Sequence, residues 1–453
     1  MSVQGGFLGT ARSHRRGCGT CVSRWRVAFS LAAVMLVGVG VGAVSAAGAV
    51  TERVSISTSG VQANQFSDTS AVSADGRFVA FTSLASNLVP GDTNDANDVF
   101  VRDRLAGLTE RVSVSSTGAQ GNGESFEAEI SANGRFVVFV SGASNLVAGD
   151  SNDAEDVFVR DLATGITERV SVSSDGTQAN SGSFGGTISA DGRVVAFTSY
   201  ATNLVVGDTN GRRDVFVRTR TTGRTQRVSV SSKGAQADSW SEAPAVSGDG
   251  GIVVFVSRAR NLVAGDTNRE WDVFLRNRAT ARTRRVSVSS TGRQGRGPSF
   301  DPAISADGRL VTFTSAAKNL VAGDTSVRRD IFVRNRATGR TRRVSVSSTG
   351  AEANGLSLFP AISADGRLVV FTSGASNLVG GDTNRKYDIF VHDRVTGQTH
   401  RVSVSSTGTQ ANNQSLWPAI SADGRVVAFT SYASNLASGD TNHASDVFLR
   451  IRR

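Results

Sequence analysis

The chain has 453 residues and a formal net charge of +10, from 49 basic and 39 acidic side chains. Gly, Ser, Val and Thr are abundant and 39% of the residues are hydrophobic, a composition typical of a soluble β-rich protein. The two cysteines, Cys18 and Cys21, both lie near the N-terminus. This distribution excludes a disulfide-stabilised scaffold, so stability must come from packing.

The first 50 residues differ from the rest of the chain. Five arginines precede an apolar run at residues 27–44, and small residues follow up to Ala49. These are the parts of a secretory signal peptide, which we predict at residues 1–49 with cleavage after Ala47 or Ala49. The alternative is an uncleaved membrane anchor at residues 27–44, since 18 apolar residues just suffice to span a bilayer. Both place the protein outside the cytoplasm, secreted or periplasmic.

A 58-residue unit repeats seven times along the remainder. Each unit contains Arg-Val-Ser, a Ser-Ala-Asp-Gly-Arg turn in its commonest form, and Asp-(Val/Ile)-Phe. The Arg-Val-Ser motif begins at Arg53, Arg111, Arg169, Arg227, Arg285, Arg343 and Arg401. Such a fixed period indicates a repeat architecture instead of several unrelated domains.

Each unit is predicted to form four short strands. In the sixth unit a small-residue strand at 360–363 leads through an Asp-Gly turn to an apolar strand at 367–373. An apolar strand at 388–394 and an alternating strand at 401–405 follow. The small residues suit the crowded centre of a ring, and the alternating pattern suits a half-exposed outer edge.

Four-stranded units arranged radially form a propeller, which protects its sheet edges. The repeats begin with a lone outer strand at 53–57 and end with three strands, the last at 446–450. We therefore predict an all-β fold: a seven-bladed β-propeller of four-stranded antiparallel blades over residues 50–453. One N-terminal strand and three C-terminal strands close it.

The repeat motifs resemble a known family. Ser363-Ala-Asp-Gly-Arg367 and Asp388-Ile-Phe-Val-His-Asp-Arg394 are similar to the TolB-type β-propeller repeat, a relative of WD-repeat blades. The resemblance covers all seven units and implies an extracytoplasmic protein-interaction module. It carries little about function, because propellers include both enzymes and scaffolds.

The loops after the second and fourth strands are long and lie on one face, where we expect ligands to bind. An Asp-x-Asn-x-x-x-Asp pattern recurs there, and its oxygens could hold calcium or could satisfy groups of the loop itself. The fifth unit has Ser326 in place of Asn, so it should be the weakest calcium site. The candidate residues are Asp92, Asn94, Asp98, Asp150, Asn152, Asp156, Asp208, Asn210, Asp214, Asp266, Asn268, Asp272, Asp382, Asn384, Asp388, Asp440, Asn442 and Asp446.

One segment is strongly basic. Residues 276–343 contain 16 basic and four acidic side chains. We name Arg284, Arg285, Arg342 and Arg343 the basic sector, which could contact an anionic polymer of the cell envelope. The alternative is a set of solvated arginines. Aromatic residues suited to base stacking are sparse, so no nucleic-acid partner is expected.

No catalytic motif accompanies these features. The repeats contain no Gly-x-Ser-x-Gly elbow, and their three histidines, His392, His400 and His443, are all in the last two units. We therefore predict an exported, monomeric, non-enzymatic scaffold without a resident cofactor, which binds a protein or a cell-envelope component through its long-loop face. The alternative is a calcium-assisted enzyme of the lyase, lactonase or glycosidase type, acting at the central channel.

Export can be tested directly. We expect N-terminal sequencing of the protein recovered outside the cytoplasm to begin at residue 48 or 50, because cleavage follows small residues. Recovery of an intact segment 1–49 in the membrane fraction would instead establish the anchor.

Overall fold

The computed structural model describes residues 48–326 and 328–452, and residues 1–47 of the predicted signal segment lie outside them. The described residues form 28 strands and no helix, arranged as seven antiparallel four-stranded sheets. The predicted seven-bladed propeller is therefore confirmed. Within these ranges, no helix has the length and apolar character that a membrane span needs.

Each blade contains, from the channel outwards, an inner, a second, a third and an outer strand. The inner strands are β2 (Ser67–Val72), β6 (Ser125–Ile130), β10 (Ser183–Ile188), β14 (Ser241–Val246), β18 (Ser299–Ile304), β22 (Ser357–Ile362) and β26 (Ser415–Ile420). The second strands are β3 (Phe78–Ser83), β7 (Phe136–Ser141), β11 (Val194–Ser199), β15 (Ile252–Ser257), β19 (Leu310–Ser315), β23 (Leu368–Ser373) and β27 (Val426–Ser431).

The third and outer strands complete the blades. The third strands are β4 (Asp98–Asp103), β8 (Asp156–Asp161), β12 (Asp214–Thr219), β16 (Asp272–Asn277), β20 (Asp330–Asn335), β24 (Asp388–Asp393) and β28 (Asp446–Ile451). The outer strands are β1 (Val50–Arg53), β5 (Leu108–Arg111), β9 (Ile166–Arg169), β13 (Arg224–Arg227), β17 (Arg282–Arg285), β21 (Arg340–Arg343) and β25 (Thr399–Arg401). Blades 1–6 run in chain order from β2–β5 to β22–β25, and blade 7 combines β26–β28 with β1.

The outer strand was predicted too late in the repeat. The Arg-Val-Ser segment is not that strand, because its arginine is the last strand residue and the chain then turns inward. In blade 1, Val112 and Ser113 after Arg111 are both buried. The apolar and polar alternation in this segment therefore does not separate a buried face from an exposed one.

The core lies between the blades. A phenylalanine of the second strand stacks on one of the third strand in every blade, as Phe81 does on Phe100 with ring centroids 5.8 Å apart. Val426 and Val447 of blade 7 pack in the same cluster as these two rings of blade 1. Burying one such side chain contributes about 1.5–3 kcal/mol, so adjacent blades stabilise each other.

Backbone hydrogen bonds join the turns between the inner and second strands into a ring. The Ala74 amide donates to Ala132 O at 2.9 Å, the turns continue this pattern around the channel, and Ala422 donates to Ala74 O at 3.0 Å. Glycine is required in these turns. Gly76 has φ of 72°, and a Cβ there would lie 2.5 Å from Val426 Cγ2, too close for any side chain.

The split blade closes the circle, as predicted. Strand β1 pairs with β28, from Val50 opposite Ile451 to Arg53 opposite Phe448. Beyond the strand, Ser55 Oγ donates to the buried Asp446 carboxylate at 2.6 Å. The two ends of the propeller are therefore held by both a backbone ladder and buried side chains.

Deleting residues 51–59 should destabilise the closed ring. The deletion removes the outer strand of blade 7 and exposes the edge of β28, so we expect a lower Tm and edge-to-edge association. Differential scanning calorimetry and light scattering would measure both, with a chain beginning at residue 48 as the control. An unchanged Tm together with a monodisperse monomer would contradict this closure.

Candidate functional site

The first residue of each third strand is a buried aspartate. Asp98 has no exposed surface, and four side chains contact its carboxylate. Ser113 donates to one oxygen, and the other accepts from Asn94 Nδ2 at 3.3 Å, Arg111 Nη1 at 3.1 Å and Gln120 Nε2 at 3.2 Å. The loops therefore meet around this buried charge.

A second aspartate shares the same partners. Asp92 Oδ1 lies 3.1 Å from Arg111 Nη1 and accepts a hydrogen bond from Gln120 Nε2 at 2.8 Å. One guanidinium group thus lies against two carboxylates that face each other across the loop. Asn94 also donates to Gly121 O at 3.0 Å, which attaches the loop to the linker into the next blade.

This arrangement recurs in the other blades that carry the full pattern. The aspartates pair with an arginine in each, at Arg169, Arg227, Arg285, Arg401 and Arg53. The predicted residues that these pairs bring together are Asp150, Asp156, Asp208, Asp214, Asp266, Asp272, Asp382, Asp388, Asp440 and Asp446. In each of these blades the asparagine, Asn152, Asn210, Asn268, Asn384 or Asn442, donates to the buried aspartate that begins the third strand.

These six loops do not fit the calcium site considered from the sequence. Calcium takes six to eight oxygen ligands, whereas each of these loops brings only two carboxylates to the arginine, and the third-strand aspartate already accepts a hydrogen bond from an asparagine amide. In blade 1, Arg111 also offsets one of the two negative charges, at 3.1 Å from both Asp92 and Asp98. The geometry favours the alternative, in which the side chains satisfy one another and the loop backbone.

The basic sector is divided by the structure. The side chains of Arg285 and Arg343 are only 7% and 11% exposed and pair with loop carboxylates. Arg284 and Arg342 are exposed on the outer strands. Only these last two arginines of the sector are therefore presented to solvent for an anionic polymer.

The central channel has a feature that the sequence did not predict. The third residue of every inner strand has a positive φ, between 38° and 62°, where the ladder to the second strand shifts register. L-residues rarely adopt this conformation, and such strain often accompanies function. The seven residues are Thr69, Glu127, Gly185, Ala243, Asp301, Phe359 and Trp417; we call them the bulge ring.

The bulge ring lines a cavity of about 500 Å³ in the channel. It lies towards the long-loop face, since the inner strands begin directly after the long linkers. Phe359 and Trp417 are adjacent there, with centroids 6.2 Å apart and planes at 53°. Going around the ring, acidic residues flank this pair, Asp301 directly and Glu127 beyond Thr69, while Gly185 and Ala243 form the opposite wall.

The channel carboxyl groups are water-accessible but surrounded by protein. Restricted access to bulk water raises the pKa of Glu129 to about 7. The same cause raises the pKa of Glu127 and Asp301, opposed at Glu127 by a hydrogen bond from the Gly185 amide at 2.8 Å. Three carboxyl groups with pKa values above their usual range therefore share one cavity.

The sequences of the seven repeats do contain an indication of this site. Ser67 is Ser in every unit, whereas the bulge position carries seven different residues, Thr, Glu, Gly, Ala, Asp, Phe and Trp. Other positions of the inner strand also vary, but only this one differs in all seven units, which indicates that the fold does not fix the side chain there.

No protein-family model and no curated protein matches the sequence. Solved structures share the fold. An oligogalacturonate lyase in complex with manganese aligns with a TM-score of 0.54 and 14% identity, over 89% of this chain and 93% of that one. One prolyl endopeptidase aligns with a TM-score of 0.51 and 10% identity, over 86% of this chain and 50% of that one. A putative TolB from Agrobacterium tumefaciens aligns with a TM-score of 0.40 and 16% identity, over 76% and 94%.

These structures overturn the prediction that the protein is not an enzyme. Solved structures that align with most of this chain include a lyase and a peptidase. The absence of a catalytic sequence motif is therefore no ground for predicting that a protein with this fold is not an enzyme. At these identities the likeness shows the fold alone.

The loop network can be tested at one residue. Arg111→Ala should destabilise the protein by about 3–5 kcal/mol, because it leaves two buried carboxylates without their positive partner. Thermal and urea unfolding would measure the loss. Arg193→Ala is the matched control, since the Arg193 side chain is 69% exposed and its removal should change little. Equal stability of the two variants would contradict a structural role for the network.

Proposed function

We propose that the protein binds a cationic ligand, an amine or a quaternary ammonium group, in its central channel. One observation carries the proposal: the cavity at the bulge ring combines three carboxyl groups with two aromatic rings. Among the described residues that line it there is no Lys, Arg or His. Negative charge next to aromatic faces is the combination that recognises a cation.

The aromatic pair supplies the contact surface. Phe359 and Trp417 are both half-buried, and their tilted rings form two sides of a corner. A cation near an aromatic face gains about 0.5–2 kcal/mol, most when the site is partly desolvated and the ring is Trp. The small residues Gly185 and Ala243 leave space opposite this corner.

The charge of the cavity discriminates between ligand classes. Glu127, Glu129 and Asp301 give it a negative potential that attracts cations and repels anions. A polyanion such as the oligogalacturonate named for one structural neighbour does not fit this lining. A neutral sugar could stack on the rings, but it would gain no charge attraction from the three acidic groups.

Glu129 makes binding pH-dependent. With a pKa of about 7, this carboxyl group is about half protonated at neutral pH. A cation favours the carboxylate, so binding should release a proton near pH 7 and weaken as the pH falls below 7. Neutral ligands should show neither effect.

Titration calorimetry with defined probes tests the proposal. We expect spermidine or tetramethylammonium to bind, and galacturonate and glucose not to bind. Trp417→Ala should weaken binding about 10-fold, consistent with a cation–π contribution of about 1.4 kcal/mol. Glu129→Gln should remove the pH dependence around pH 7.

Trp240→Phe is the control variant, because Trp240 stacks on Trp271 and not in the channel. It should bind like the unmodified protein. Binding of glucose or galacturonate but of neither cation would reject the proposal. Cation binding that Trp417→Ala leaves unchanged would place the site elsewhere.

The pKa of Glu129 favours a second function at the same site, general acid–base catalysis. A carboxyl group with a pKa near 7 can both donate and accept a proton at neutral pH. Hydrolysis of a nitrophenyl glycoside of glucosamine, an amine-bearing probe, would test it. Activity that follows a pKa near 7 and is lost in Glu129→Gln would support catalysis.

We also propose that the protein is exported and that it binds its ligand through the long-loop face. The order of basic, apolar and small residues at 1–49 supports export, and the repeat motifs support a TolB-type repeat. Because the channel is acidic, we expect the ligand at the long-loop face to be a cationic group of a protein or of a cell-envelope component. It would enter the channel from that face.

A further inference from the structure

Blade 5 departs from the loop network of the other blades at two positions. Ser326 replaces the asparagine that donates to the buried aspartate elsewhere, and Glu352 replaces the glutamine. Both changes remove a side-chain amide donor, and the second adds a carboxylate. The cluster here is Asp324, Asp330, Glu352 and Arg343, which we call the blade 5 acidic cluster.

The three carboxyl groups converge. One oxygen from each of Asp324, Asp330 and Glu352 lies within 4.8 Å of the others. Arg343 Nη1 is 3.2 Å from Asp324 Oδ1, 3.8 Å from Asp330 Oδ2 and 2.6 Å from Glu352 Oε1. Three negative charges therefore face one positive charge, whereas the networks of the other six blades place two against one.

One oxygen in the cluster has no hydrogen-bond donor. Asp330 is 1% exposed, and among the described residues its Oδ2 accepts no hydrogen bond. An asparagine donates to the corresponding oxygen in each of the other six blades, as Asn384 does to Asp388 at 2.9 Å. A buried carboxylate oxygen without a hydrogen-bond donor is costly. Arg343, 3.8 Å away, is shared with the other two carboxylates, so a proton or a further cation would stabilise this oxygen.

We propose that the blade 5 acidic cluster binds one divalent cation of the calcium type. A divalent ion would neutralise the excess of two negative charges. Two ligands about 2.4 Å from calcium can be at most about 4.8 Å apart, and the three oxygens meet that limit. Oxygen-only donors select hard cations over zinc or copper.

The cation would connect two segments of the chain. Asp324 and Asp330 bound the loop into β20, whereas Glu352 lies in the linker from blade 5 to blade 6. Glu352 already accepts hydrogen bonds from Thr325 Oγ1 at 3.1 Å and from the Ser326 amide at 3.0 Å, and the ion would add a link between Glu352 and Asp330. This assignment is the reverse of the expectation that the fifth loop is the weakest calcium site, and it does not depend on a ligand in the channel.

Calorimetric titration of the full chain with calcium chloride tests the site. We expect one ion per chain and a Tm in 1 mM calcium about 2 °C or more above that in chelator. Magnesium and manganese titrations would rank the cation. The double variant Ser326→Asn/Glu352→Gln restores the residues of the other blades, so it should fold, melt independently of calcium and lose the binding heat.

Glu110→Gln removes an exposed carboxylate of β5 and is the control, with calcium binding retained. No binding of any of the three cations would overturn the proposal. Equal calcium binding by the double variant and the unmodified protein would also overturn it. A Tm that responds to pH but not to calcium would show that a proton, and not a metal, neutralises Asp330.

Discussion

The fold depends on how it accommodates a buried aspartate at the start of every third strand. An isolated buried carboxylate is strongly unfavourable, so Asp98 and its equivalents must recruit partners. Those partners come from the loop before the strand, from the end of the outer strand and from the linker to the next blade. One buried charge therefore fixes the positions of three segments, and the same contacts hold adjacent blades together.

This constraint explains why the loop residues repeat so exactly. A network that stabilises each blade must be present in each blade, and its polar atoms are used within the protein. Such residues are poorly placed to recognise a ligand, even though Asp and Asn on long loops suggest one. The arginine of the Arg-Val-Ser motif shows the same point, since Arg111 lies between two carboxylates and is only 9% exposed.

The repeat period, the strand order and the closure by β1 were all predictable, because they follow from hydrophobic patterning and turn residues that recur seven times. The end of the outer strand was not, since Val112 and Ser113 alternate in sequence while both are buried between blades. The bulge ring was also missed. Nothing in their residue types places Phe359 or Trp417 at a positive φ, which a ladder shift imposes.

Function in a repeat protein requires that symmetry be broken. A seven-fold channel with identical linings would present any small ligand with seven equivalent sites, so one specific site needs side chains that differ between blades. The bulge ring provides this difference, with aromatic rings on blades 6 and 7 and acidic residues on blades 2 and 5. Blade 5 breaks the symmetry a second time through Glu352. Positions at which the fold does not fix the side chain can therefore differ between blades and form a single specific binding site.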